Sequence, residues 1–424
     1  MLLQFSVENY KSFKNLTVLS MEASDDTQLP MNYITIGDER ILNSAVIFGA
    51  NASGKSNIFT ALTAAIMLVR KSSIRQVSES LFEIVPYKFD NESFDKPTFF
   101  EFVFRIEDKK YVYGFKATQR EVIEEYLYEY DKQEPIVIFE RSENIYTFES
   151  TELEAELLPL TERNTNNKLF LSTATMWNSA VTKVPYLWFE SMINTYSADF
   201  EQLLHQTAAM FEEDKDGALR QFTNKLLHEA DINIDDYELE IKDVSHEQFL
   251  QQIPVEIRGV MNIIPNGVNK SLNIETVHTI ANEGKFEKYN LPLGEESQGT
   301  RGLFLFAPIL KRAFEKGETL CIDEFGASLH PILICYLFAL FNNPKINKAN
   351  AQLIVSSHSM VLMSLENLRR DQIYFVEKNR KTGVSELYSL DEFSSLEEEN
   401  IRMAYLLGRY GSIPDISGEA NLWD

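Results

Sequence analysis

The chain has 424 residues, enough for two or three domains or for one core domain carrying a large insertion. At 44% hydrophobic and 12% aromatic it is a packed globular protein rather than a disordered one, and no apolar run approaches the roughly 18 residues of a membrane span. The formal charge of −24, from 40 basic and 64 acidic side chains, argues against a general nucleic-acid binder, because phosphate contacts need local Lys and Arg. Lys109-Lys110, Arg369-Arg370 and Lys378 to Lys381 keep a local basic groove open beside their reading as solvated loop charge.

Residues 1–20 alternate through Phe5, Val7, Phe13, Leu16 and Val18, which predicts two strands around the turn Glu8 to Ser12. The opening segment lacks the basic region and long apolar region of a signal peptide. The apolar run Ser44 to Phe48 predicts a buried strand. Gly49-Ala-Asn-Ala-Ser-Gly-Lys-Ser56 follows it, a full GxxxxGK[ST] phosphate-binding loop. Its glycines let successive N–H groups curl around a phosphate, Lys55 reaches the β- and γ-phosphates, and the Ser56 hydroxyl suits Mg²⁺. Gly49, Asn51, Ser53, Gly54, Lys55, Ser56 and Asn57 are the candidate nucleotide contacts. A helix from Asn57 to Arg70, with Ile58, Leu62, Ile66 and Val69 on one face, would present its N-terminus to the anion.

Strand patterns over Thr98–Ile106, Lys110–Ala117, Ile136–Glu140 and Ile145–Phe148 predict an antiparallel meander. From residue 151 the pattern changes. Helix-type spacing over Tyr196–Met210 and Leu219–Ala230, with Trp177 and Trp188 nearby, reads as a mostly helical insertion. Strands return at Tyr237–Val244, Ile253–Val260, Leu272–Ile280 and Phe286–Tyr289. Beyond 301 the pattern is α/β: helix 301–315, strand 319–322, helix 331–341, strand 352–356, a helix and strand at 372–377, then a hairpin and helix at 383–407. The expected division is 1–150, 151–235 and 236–424.

Glu318 to Glu324 is an apolar strand ending in two acids. Asp323 is the candidate for the Mg²⁺ shell and Glu324 for the general base that polarises water. His358, in Ser356-Ser-His-Ser359, closes the next apolar strand and is placed to sense a γ-phosphate. Ser297 and Gly299, in Gly294-Glu-Glu-Ser-Gln-Gly-Thr-Arg301, stand just before a helix. They suit either phosphate binding or an ordinary helix cap. The two cysteines, Cys321 and Cys335, sit in apolar runs and read as buried thiols of a reduced, cytoplasmic protein. His205, His228, His246 and His278 show no ligand spacing, and His330 offers only a weak metal reading with Asp323 and Glu324.

The order of phosphate loop, Ser-x-Gly signature, double-acid strand and histidine resembles ABC-type ATPases, and departs from Ras-like GTPases. Lys55 and Ser297 are 242 positions apart (297 − 55), which resembles the inserted heads of SMC- and RecF-like ATPases, without the heptads of a coiled-coil arm. Phe5 to Phe13, Asp323 to Pro331 and Gly408 to Asp415 resemble bacterial ATPases of the abortive-infection group (RloA-like and AbiLii-like). The resemblance implies an ABC-type head with an antiparallel β subdomain and a helical insertion, binding ATP and Mg²⁺. It further implies a homodimer, or a higher homo-oligomer, in which Ser297 and Gly299 act on the nucleotide held at Lys55 of a second copy. The signature departs from the transporter form, reading Ser-Gln-Gly-Thr. No residue clearly fills the family's Q-loop. Gln119 stands as a candidate beside its reading as a surface glutamine, and Lys11 as a basic residue able to approach the nucleotide.

The resemblance implies an ATPase regulating a separate, nuclease-like effector in phage defence. Two other readings remain open: a RecF-like DNA repair ATPase and an ATP-gated scaffold with slow turnover. No membrane partner is expected.

Overall fold

The computed structural model describes residues 1–131, 134–197, 199–244, 269–393 and 400–414. The expected strand Ile253–Val260, His246 and the end of the closing motif at Asp415 lie outside the described residues. The chain forms two compact units, one of Met1–Ala198, Ala313–Ala327 and Pro331–Asp424, the other of Asp199–Arg312 and Ser328–His330.

The first unit holds two large sheets. In the central one the strands run Ile193–Ser197, Thr319–Asp323, Gln352–Ser356, Ser44–Phe48, Ile373–Lys378 and Ser385–Ser389. The first five are parallel and the last is antiparallel to its neighbour. Every residue of Ser44–Phe48 and Gln352–Ser356 is buried, as expected of parallel strands covered on both faces. The phosphate-loop strand is therefore flanked on one side by the strand leading to His358, and one strand further by the strand ending in the acids.

The other sheet is antiparallel, in the order Ile145–Thr147, Glu134–Ser142, Val122–Asp131, Lys109–Ala117, Thr98–Ile106, Leu2–Glu8 and Thr17–Ser20. Its two-residue period is plain in Thr98–Ile106, where Phe100, Phe102 and Phe104 are buried between half-buried neighbours. These rings share one hydrophobic cluster with Ile47 and with Ile58, Leu62, Ile66 and Val69 of the helix Lys55–Lys71. The phosphate-loop helix is thus fixed by its apolar stripe. Gln352 ties the sheets together: its Nε2 donates to Leu2 O (2.9 Å) and Leu42 O (3.0 Å), and its Oε1 accepts from Leu2 N (2.6 Å).

The expected boundary at residue 150 does not coincide with a unit boundary. Phe170, Trp188 and Phe189 belong to the core of the first unit, and Trp188 stacks on Phe104 with centroids 4.1 Å apart. These rings need the aromatic face of the antiparallel sheet, so the segment that carries them, 170–189, packs with the sheet. The helix expected from Tyr196 begins instead at Phe200. Ile193–Ser197 is an edge strand paired in parallel with Thr319–Asp323.

The second unit carries the helices Phe200–Glu213 and Ala218–Glu229, and the antiparallel strands Asp236–Val244, Asn269–Asn282 and Lys285–Pro292. Most of the helix Gln298–Lys316 belongs to it as well. Phe211, Tyr237 and Phe304 form its aromatic centre, with centroids 5.0–5.9 Å apart.

Candidate nucleotide site

The phosphate loop leaves its strand at Phe48 and enters its helix at Lys55. Two of its glycines are required by space. A Cβ at Gly49 would lie 2.5 Å from Val376 O, and one at Gly54, where φ is 118°, would lie 2.5 Å from Ser385 Oγ and 2.9 Å from Ser12 Oγ. Ser12 and Ser385 thus press on the loop from two separate segments. Ser385 Oγ donates to Ser53 O at 2.6 Å, Asn57 Nδ2 donates to Ser12 Oγ at 2.7 Å, and Ser385 N donates to Ser12 O at 2.7 Å. Neither serine carries a motif of its own. The signal available in the sequence for Ser12 was its place in the opening Asn-Tyr-Lys-Ser turn.

Lys55 is buried, and its ammonium donates to Gly49 O (2.7 Å) and Ala50 O (3.0 Å). Burial pulls its pKa below the ordinary lysine value, while Asp323 and Glu324 act in the opposite sense. Ser53 Oγ is buried with no hydrogen-bond partner. Asn51 and Ser56 are exposed on the loop and at the first turn of the helix.

Asp323 ends its strand, and Glu324 follows in the left-handed region with φ of 56°. Ser356, on the neighbouring strand, holds both. Its hydroxyl donates to Asp323 Oδ1 at 2.5 Å and accepts from Glu324 N at 2.8 Å. Phe325 N donates to Ser356 O at 2.9 Å, and Ser357 Oγ donates to Phe325 O at 3.2 Å. His358 is exposed two residues on. Partial desolvation of this otherwise exposed ring and then the Lys55 charge push its pKa below 6.5, while Glu324 and Asp323 pull it upward. Lys55, Asp323, Glu324 and His358 therefore lie within one another's electrostatic reach.

Carboxylate and hydroxyl oxygens, the donors offered by Asp323 and Ser56, are those that Mg²⁺ takes. Among the described residues no group of three or more His, Cys, Asp or Glu forms a metal cluster. His278 contacts Glu296 Oε1 at 2.8 Å and Asn233 O at 2.7 Å.

Ser297 and Gly299 belong to the second unit. Ser297 caps the helix that follows: its Oγ accepts from Thr300 N at 3.2 Å and lies 2.9 Å from Thr300 Oγ1. A Cβ at Gly299 would meet Ser328 O at 2.7 Å, so this glycine allows close packing on the loop after the acids. The preceding turn is anchored by Glu296, whose Oε1 accepts from Thr276 Oγ1 at 2.6 Å.

Gln119 is engaged with the backbone of a neighbouring segment. Its Nε2 donates to Ile84 O at 3.0 Å and its backbone carbonyl accepts from Leu81 N at 2.9 Å, so it ties down the 81–84 segment. Lys11 sits in the opening turn with φ of 48°, its N donating to Val85 O at 2.8 Å, and burial lowers its pKa. Cys321 is fully buried, and burial pushes its thiol up to about 12, while Cys335 is half-buried. No helix among the described residues is long and apolar enough to cross a membrane.

Residues 44–364 match the family described as AAA domain, putative AbiEii toxin, Type IV TA system. That span runs from the phosphate-loop strand past His358. No curated protein matches the chain. Among solved structures, the SMC head domain from Thermotoga maritima is similar at 14% identity and a TM-score of 0.40, over 92% of this chain and 98% of that one. The SmcHead bound to the C-winged helix domain of ScpA is similar at 15% identity and a TM-score of 0.41, over 94% and 98%. The family match spans most of the chain, including the phosphate loop, Ser297 and Gly299, the acid pair and His358, and the protein belongs to this AAA-domain family of ATPases.

Proposed function

We propose that the chain binds and hydrolyses ATP with Mg²⁺, and that two copies close around two ATP molecules. The observation that carries this reading is the convergence of Lys55, Asp323, Glu324 and His358 at the ends of three adjacent parallel strands. Ligands of open α/β sheets bind at this carboxyl edge.

In this account the loop amides at the start of the helix and the Lys55 ammonium cradle the β- and γ-phosphates. Lys55 exchanges its carbonyl partners for phosphate oxygens, and the unpartnered Ser53 hydroxyl gains an acceptor. Ser56 and Asp323 would hold Mg²⁺, which supplies Lewis-acid stabilisation of the charge that develops on the phosphate oxygens. Glu324 orients and deprotonates the attacking water. His358, held neutral near pH 7, hydrogen-bonds the γ-phosphate without adding charge. Ser297 and Gly299 of a second copy complete the site.

The family description names a putative AbiEii toxin and a type IV TA system. That supports a role in bacterial abortive infection, with this chain as the ATP-driven sensor or regulator of a separate effector. Glu324→Gln tests the core of the reading. With Mg²⁺ and ATP the variant is expected to retain unhydrolysed ATP and to sediment as a dimer. Hydrolysis by it at the wild-type rate would remove Glu324 as the base.

A further inference from the structure

Ser356 has one hydroxyl proton and two partners. Glu324 N–H can only donate, so at that contact Ser356 Oγ accepts. The single proton is then committed to Asp323 Oδ1, at 2.5 Å. The direction of both bonds is fixed, and one of the two carboxylate oxygens of Asp323 is engaged by the serine.

The same residue governs the backbone at Glu324. A non-glycine residue at φ of 56° is disfavoured and persists where its surroundings hold it. Here the amides of Glu324 and Phe325 both donate to Ser356, one to its side chain and one to its carbonyl, and Ser357 Oγ donates to Phe325 O. Ser356 is buried at 1% exposure, so water does not compete for these bonds. His358 lies two residues along the same segment.

We propose that Ser356 is a positioning residue for the acid pair. Its hydroxyl determines which oxygen of Asp323 is left to face the nucleotide and its metal, and it fixes the corner from which the Glu324 side chain projects. It also joins the segment of His358 to both carboxylates, so a shift of that segment on loss of the γ-phosphate is passed directly to the acids. The proposal rests on the roles given above to Asp323 and Glu324.

The test compares wild type, Ser356→Ala, Ser356→Cys and Ser356→Thr by three readouts: Mg²⁺ dependence of ATP binding, kcat, and amide exchange over residues 322–327. Ser356→Ala is expected to raise the half-saturating Mg²⁺ concentration and lower kcat, each by roughly tenfold or more. Its ATP affinity in EDTA should stay within about twofold of wild type, and exchange at Glu324 should accelerate. Ser356→Thr, which keeps the hydroxyl, should restore all three. Ser356→Cys, a weaker donor, should shift metal dependence in the same direction if the alanine variant fails to fold. A lowered melting temperature with wild-type Mg²⁺ dependence in the alanine or cysteine variant would make Ser356 a packing residue and overturn the proposal. A wild-type chain lacking Mg²⁺-dependent ATP binding would instead overturn the reading of the site, and the wild-type control separates the two failures.

Discussion

Lys55 Nζ donates to Gly49 O at 2.7 Å, closing the phosphate loop on its own lysine. Two of the three N–H donors of the ammonium go to carbonyls of its own loop, so a phosphate oxygen takes the third donor or replaces a carbonyl. Lys55→Ala is expected to weaken ATP binding by about 100-fold or more, near 2.7 kcal/mol. Titration with a fluorescent ATP analogue measures it. Affinity within threefold of wild type would contradict the role given to this side chain.

Gly54→Ala should fail for a separate reason. A Cβ at φ of 118° would lie 2.5 Å from Ser385 Oγ and 2.9 Å from Ser12 Oγ. Backbone strain of this kind costs about 1–3 kcal/mol. The melting temperature should fall, and nucleotide binding should be lost with it. Ser385→Ala in the same chain should recover only part of the stability, because it removes a contact and leaves the strained φ in place.

The pH dependence of stability should carry a His358 component. Partial desolvation, then Lys55, holds its folded pKa below 6.5, so the folded state binds fewer protons than the unfolded state in that window. Stability from this group is therefore fully present above pH 6.5 and is lost as pH falls through 6.5 toward the folded value. Melting curves of wild type and His358→Gln between pH 5 and about 8 test this, and the variant should lose less stability on acidification. Parallel pH profiles would remove the assignment.

The antiparallel sheet contains a buried charge pair with structural consequences. Glu125 and Arg141 lie 3.5 Å apart at 0% and 1% side-chain exposure. Glu125 also accepts from Tyr113 OH (2.9 Å), Phe170 N (2.6 Å) and Leu171 N (2.9 Å). Arg141→Met should destabilise the chain by about 3–5 kcal/mol, because it leaves a buried carboxylate without its cation. Denaturant unfolding reads the loss directly. A change below about 1 kcal/mol would mean that the three donors alone support Glu125.

The phosphate loop was legible because its chemistry is contiguous: eight residues carry both the turn and the cation. The parallel strands were legible because burial on both faces makes them uninterrupted apolar runs, as in Ser44–Phe48 and Gln352–Ser356. The strand Val122–Asp131 was not read from the sequence. It holds four acids, and one of them, Glu125, points inward, which the period-two pattern does not anticipate without Arg141 and the amides of residues 170 and 171. Ile193–Ser197 was missed because an edge strand of five mixed residues is defined by its partner, Thr319–Asp323, rather than by its own period. At the site, Asp323, Glu324 and His358 stood out as charged or titratable ends of apolar strands. Ser12, Ser356 and Ser385 gave no such signal, because a hydroxyl's role depends on the groups that surround it in space.

In the proposed dimer a second copy of the chain completes each ATP site. Lys55→Ala and Ser297→Arg should each be inactive alone. In a mixed dimer the two lesions fall in one site, and the other pairs an intact Lys55 with an intact Ser297. Steady-state ATP hydrolysis by an equimolar mixture should therefore rise well above that of either variant. A mixture no more active than its components would contradict a site shared between two chains.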